Sequence, residues 1–271
     1  MPSQSRIIWL EILRTVLVGL LSIAIALPNS IMQAVGDVIA GYYENHPQPH
    51  MNMLKETLPD VFLQIWNPFI DICDHYSKFY FIITVVFILM KQERFMLIRR
   101  FLFQSGFIQL LRATTVWVTS IPKIDKKCSN SYLWTFPYII SESLLKLVID
   151  GYCNNMIFSG HTAFFTICLL FWVCYGRNFL LKTGGGLLGA VGIFLVSFER
   201  YHYTGDIILA IIITTLYCAT HLLLVILAES KFLYSKYERY PLINAVLIVV
   251  KWIDGSDLSE QKVDSKVAEE N

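Results

Sequence analysis

"MIFSGHTAFFTICLLFWVCYG", Met156 to Gly176, contains no Asp, Glu, Lys or Arg from end to end. A bilayer core asks for about 20 consecutive apolar residues of a helix, so this stretch reads as a membrane span. Its head is the puzzle: Ser159, Gly160 and His161 stand where an apolar helix is about to begin. "YHYTGD", Tyr201 to Asp206, bears the same relation to the apolar run Ile207–Ala228. Further out, Phe101–Ile121 is interrupted only by Arg112, and Asn178–Phe198 only by Lys182, close enough to one end to snorkel. Ile7–Pro28 carries Glu11 and Arg14, three apart on one helical face near its start. A weaker run over 70–90 has the charge-free centre Phe79–Met90. The reading is an all-α integral membrane protein with six transmembrane helices, at about 7–28, 70–90, 101–121, 156–176, 178–198 and 207–228.

Composition agrees. The chain has 271 residues, 55% hydrophobic and 16% charged, with a mean hydropathy of +0.53, whereas soluble domains carry about 25% charged residues. A net charge of +1 gives no footprint for a nucleic-acid partner. The first apolar run ends at Pro28–Asn29 without a small-residue cleavage pattern, which reads as a retained signal anchor. None of the six cysteines forms a CxxC pair or a zinc-ligand spacing. Cys168, Cys174 and Cys218 fall in apolar runs and read as packing residues; Cys128 and Cys153 flank one polar loop and are a candidate disulfide only if that loop is lumenal.

Short loops set the orientation. Lys91, Arg94, Arg99 and Arg100 lie in "KQERFMLIRR" (91–100), Arg177 and Lys182 in 177–183, and Lys231, Lys236 and Arg239 follow the last span. The other side shows Lys55 in 29–67 and Arg200 in 199–206, and the longer loop 122–155, with its four lysines, counts less. Both termini are therefore expected in the cytosol. On that topology His161 opens the fourth span, and His202 and Asp206 follow the fifth, all at the non-cytosolic face. Residues 1–228 form the expected six-helix catalytic domain. Residues 229–271 are a cytosolic tail, in which Leu242–Val250 is too short to span and reads as interfacial, before a polar end that reads as disordered.

Two histidines and an aspartate at one membrane face suit phosphoryl transfer by a covalent route. A neutral imidazole attacks phosphorus while a second protonates the departing oxygen. His202 and Asp206 are spaced i,i+4, one helical face, and a carboxylate on one ring nitrogen fixes the tautomer of the other. His161 near a helix N-terminus stands where backbone N–H groups attract phosphate. The plainer alternative makes each histidine an interfacial packing residue and Ser159–Gly160 an ordinary cap; two such histidines in matching flanks weigh against it. His221, deep in the last span, has no partner legible in the sequence.

"SGHT" (Ser159–Thr162) and "HYTGD" (His202–Asp206) resemble the paired motifs of the sphingomyelin synthase family, within the lipid-phosphate phosphatase superfamily. "LPD" (Leu58–Asp60) and "RRF…LLRATTVWVTSIP" (Arg99–Pro122) resemble two weaker family elements, so the similarity runs in order from about 55 to 228. The resemblance implies transfer of a phospho-head group from a glycerophospholipid to the primary hydroxyl of ceramide, releasing diacylglycerol. His202 would be the nucleophile, Asp206 its orienting carboxylate and His161 the acid/base, with no metal or other cofactor. The family pattern is broken where Cys153-Asn154-Asn155 replaces Cys-Gly-Asp, which bears on head-group choice. Ser159, Gly160, Tyr203 and Asn155 are candidate substrate-binding residues through these motifs. Glu142 resembles an acid of the family's active-site network.

Arg112, mid-span, is expected either to pair with a buried acid or, as the favoured reading, to face a polar cavity that holds the phosphate. Arg99 and Arg100 read as orientation determinants. The partners are membrane lipids: ceramide, phosphatidylcholine or phosphatidylethanolamine, and diacylglycerol. Phosphocholine is the favoured head group, and homo-oligomerisation is left open. Golgi or plasma membrane suits a lumenal or extracellular site, with the ER as a further candidate. The competing readings are a lipid phosphatase or phospholipase C-like hydrolase, in which water resolves the same intermediate, and a non-catalytic lipid-binding scaffold. The Lys-x6-Arg-Pro and Ser-Arg-x5-His signatures of the lipid phosphatases do not occur. Metal-dependent CDP-alcohol phosphotransfer would need an aspartate cluster on adjacent helices, and the sequence has none.

Overall fold

The computed structural model describes residues 4–45, 72–118, 158–198, 202–230, 234, 235, 237 and 239–255. Among these, seven helices follow one another: α1 Gln4–Asn45, α2 Ile72–Leu89, α3 Arg94–Val118, α4 Gly160–Tyr175, α5 Phe179–Phe198, α6 Thr204–Glu229 and α7 Pro241–Asp254. No strand occurs among them. Four stretches are long and apolar enough to cross a membrane: Ser5–Gly36 of α1, α2, α5 and α6. The other two expected spans differ. α4 is apolar but only 16 residues long, about 24 Å at 1.5 Å per residue, because Ser159 caps it later than the apolar run suggests. α3 is long but carries Arg94, Arg99, Arg100 and Arg112.

Two expected boundaries are corrected. The first helix does not stop at Pro28–Asn29; it continues to Asn45 with Pro28 inside it. Proline removes one backbone donor, and tertiary contacts hold the helix across that gap. Asn29 and Gln33 are buried, the Asn29 amide donates to Gln109 Oε1 of α3 at 2.7 Å, and Gln33 donates to Asn29 at 3.1 Å. α1 and α3 approach so closely that a Cβ on Gly106 would lie 2.8 Å from the Ser22 carbonyl oxygen. The segment 91–100, expected as a loop, is helical from Arg94 onward, which moves Arg99 and Arg100 inside the bundle.

α2, α4 and α5 pack through small and aromatic residues. Gly185, Gly189 and Gly192 make one face of α5. A Cβ on Gly185 would lie 2.2 Å from the Trp172 ring, and one on Gly192 would lie 2.5 Å from the Phe165 ring. Small residues at this spacing let helices meet closely inside a membrane. Carbonyls along this face of α5 then accept from α2, Tyr76 Oη donating to Leu188 at 2.7 Å and Tyr80 Oη to Gly185 at 2.8 Å. Trp172 of α4 donates to Thr84 at 3.0 Å and stacks on Phe87 at 4.1 Å. Gly189→Leu should therefore overpack this seam, where Leu169 Cβ already lies 2.7 Å from the added carbon. We expect a loss of about 1–3 kcal/mol, read as a lower melting temperature in detergent.

The ends of the bundle are distinct. At one end Arg99 and Arg100 are buried against α7. Arg99 donates to the Ile253 and Asp254 carbonyls at 2.6 and 2.7 Å and pairs with Glu11 of α1. Arg100 forks onto the Asp254 carboxylate, with one bond of 2.9 Å, and donates to Tyr175 Oη at 2.9 Å. These two arginines are thus internal ties that fasten the C-terminal helix, beyond the orientation role their sequence position implies. Gly255 ends α7 with φ 81°, and a Cβ there would lie 2.3 Å from Arg99 Nη2; conformation and space both ask for glycine. The expected interfacial segment Leu242–Val250 lies within α7, buried along Leu247, Val250 and Ile253.

Candidate active site

α3 runs antiparallel to α4 and α6. Arg100 meets the C-terminal ends of both, Tyr175 and Glu229, while Gln104 meets His221 at 3.1 Å and Phe107 stacks on Tyr217 at 4.8 Å. Twelve residues beyond Arg100, about 18 Å along the helix, Arg112 reaches the N-terminus of α4. The starts of α4 and α6, joined by the antiparallel α5, therefore lie at one end of the bundle. The "SGHT" and "HYTGD" stretches are those two starts.

Phe158 enters the first of them with φ 70°. For a bulky residue that left-handed conformation costs roughly 1–2 kcal/mol, and burial of its side chain holds it there. Ser159 then caps α4, its Oγ accepting from Thr162 N at 3.3 Å and from Thr162 Oγ1 at 3.0 Å. Ser159 is fully buried, its hydroxyl engaged within the cap. Gly160 allows a close approach: a Cβ there would lie 2.4 Å from Arg112 Nη1, so the guanidinium rests over the glycine beside His161. His161, in the first turn of α4, is 38% exposed in its side chain, and its Nε2 lies 2.9 Å from Asp74 Oδ1 in the first turn of α2.

The second start is more enclosed. His202, Tyr203 and Asp206 are 7%, 9% and 6% exposed. α6 begins at Thr204 with Tyr203 as its N-cap, and Asp206 Oδ2 accepts from the Tyr203 backbone N–H at 3.0 Å. His202 thus precedes the helix, so the expected shared helical face gives way to a different arrangement: Asp206 closes the first turn on which His202 is presented. A carboxylate in that position satisfies an otherwise orphaned donor and favours the helix dipole.

Between α3 and α4 lies a cavity of about 30 Å³, bounded by Ser105, Gln109, Arg112, Gly160 and Phe164. This void beside Arg112 is the size of one water and is also lined by Ile108, Ala163 and Ile167, smaller and more apolar than the phosphate-holding cavity expected there. His221, without a partner in the sequence reading, shares its Nδ1 with the Gln104 amide. Glu142 and Asn155, with Asn154, Cys128 and Cys153, lie outside the described residues. Asp74 is what the sequence reading missed. Its signal was an acid heading an apolar run, and nothing in the spacing ties it to residue 161.

Residues 152–223 match the PAP2 superfamily C-terminal family. A phosphatidylinositol:ceramide inositolphosphotransferase of Trypanosoma cruzi (strain CL Brener) is 34% identical over 119 residues, 41% of this chain and 35% of that protein. The resemblance to the sphingolipid synthases stands. The phosphatidylcholine:ceramide cholinephosphotransferase 1 of Caenorhabditis elegans is 25% identical over 219 residues, 73% of this chain and 44% of the relative. A phosphatidylethanolamine:ceramide ethanolaminephosphotransferase of Trypanosoma brucei brucei is 28% identical over 124 residues, 42% of the chain and 37% of the relative. The chain spans less than half the length of these curated relatives.

Proposed function

We propose that this chain is a sphingolipid synthase that moves a phospho-head group from a glycerophospholipid to the primary hydroxyl of ceramide. A ring nitrogen of His202 attacks phosphorus and forms a P–N bond as the P–O bond to diacylglycerol breaks. His161 gives its proton to that departing oxygen. The ceramide hydroxyl then yields its proton to His161, forms the new P–O bond and releases His202. Arg112, over Gly160 at the head of α4, meets the phosphate charge. Asp206 fixes the turn that presents His202.

The observation carrying this reading is that the two motif histidines stand at the starts of two adjoining helices at one end of the bundle, the first of them beside Arg112. Phosphocholine is the head group we propose, because the cholinephosphotransferase match is the longest of the three named above. We further propose six spans with both termini cytosolic, which places the site at the lumenal or extracellular face of Golgi or plasma membrane.

Membranes containing the protein, given fluorescent ceramide and a chelator, are expected to yield a new phosphosphingolipid whose head group mass spectrometry identifies. Labelled diacylglycerol or free phosphate appearing without ceramide would favour the hydrolase and overturn the synthase. Phosphoethanolamine or phosphoinositol on the product would overturn the choline assignment alone.

A further inference from the structure

We propose that Asp74 is the positioning residue for His161, supplied across a helix interface by the first turn of α2; this rests on the transferase reading above. Asp74 Oδ1 lies 2.9 Å from His161 Nε2. An Nε2–H donated to that carboxylate leaves Nδ1 with its lone pair, so Nδ1 is the atom presented to the ceramide hydroxyl and, once protonated, to the departing oxygen. The tautomer of the acid/base is thereby set by a residue on another helix.

An acid in the first turn of a helix has an ordinary explanation in the helix dipole. Here, however, the backbone of that turn is held against α4 and α5, which keeps the 67% exposed carboxylate within reach of the ring. Cys73 beside it is fully buried. Two residues on, Tyr76 donates to the Leu188 carbonyl of α5 at 2.7 Å, and one turn further Tyr80 donates to Gly185 at 2.8 Å. Both tyrosine rings pack on Phe165 of α4, at 5.8 and 6.0 Å between centroids. Phe165 lies one helical turn from His161 on α4 itself. The helix that carries the carboxylate and the helix that carries the imidazole are therefore locked by the same aromatic cluster just inside the site. Asp206, by contrast, gives one oxygen to the backbone of its own helix. The two carboxylates thus serve different starts, Asp206 that of α6 and Asp74 that of α4.

The test uses the full chain in membranes, normalised to protein amount, with initial rates measured against ceramide concentration. Asp74→Asn is expected to lower kcat about 10- to 100-fold, a part of the 10²–10⁴ that an acid–base group supplies, with KM for ceramide changed less than about twofold. Asp74→Glu, which still reaches the ring, should recover most of the rate. The double variant D74N/H161A should be no slower than His161→Ala, because both changes remove one device. Wild-type kcat in Asp74→Asn beside an inactive His161→Ala would overturn the role of Asp74 and leave the transferase reading intact. So would a loss confined to KM, or losses that multiply in the double variant. Wild-type transfer in His161→Ala would overturn both.

Discussion

Alanine at His202 is expected to abolish head-group transfer to ceramide, a loss of about 10³-fold or more, with the protein still folded. Without the imidazole there is no atom to hold the phospho-group between donor and acceptor, so neither half of the exchange proceeds. The fold should survive the change because the first turn of α6 keeps a closing bond that does not involve that side chain. It is closed by the Tyr203 N–H bonded to Asp206 at 3.0 Å, and α6 is buried along a stripe from Ile207 through Ala210, Thr214 and Cys218 to Val225. His161→Ala should cost about 10²–10⁴-fold, since it removes proton transfer but not the nucleophile. Product formation from fluorescent ceramide, at equal protein amount, measures both. A His202→Ala variant retaining more than about a tenth of the wild-type rate would sink the covalent route.

Asp254→Ala should be the most damaging single change to stability, costing about 3–5 kcal/mol. The carboxylate is 3% exposed and takes both arms of the Arg100 guanidinium, itself 8% exposed. Removing it leaves a buried cation with Tyr175 and the more distant, half-exposed Glu229. Arg99 keeps its bonds to the α7 carbonyls only while α7 stays seated, so the losses compound. At about 2–4 °C per kcal/mol, a drop of roughly 10 °C is expected, read by fluorescence-detected melting in detergent. Transfer by the surviving folded fraction should persist, because this cluster lies at the opposite end of the bundle from His161. An unchanged melting temperature would mean that α7 is not fastened through Asp254.

These two expectations separate what a linear reading reaches from what it does not. The motif histidines are legible because each sits at a discontinuity, a polar cluster abutting an apolar run, and such discontinuities are local. Counting apolar spans then brings both to one end, since two crossings, α4 and α5, lie between the start of α4 and the start of α6. Helix ends were less legible. Pro28 is a sound local stop signal, yet Asn29 and Gln109 hold the helix across it. A basic segment ahead of a span looks like a loop until Asp254 and Glu11 neutralise it and allow Arg99 and Arg100 to be buried as helix.

The amino-acid order by itself determined the helical membrane class, the positions of the two catalytic-looking motifs and the resemblance they carry, because apolar length and residue type are properties of short stretches. Only the tertiary structure decided that Asp74 meets His161, that Arg112 lies on Gly160 and that Arg100 closes on Asp254. Each of those pairs depends on how helices rotate and slide against one another. That is set by the summed packing of glycine faces and aromatic rings along whole helices, and no single spacing along the chain encodes it.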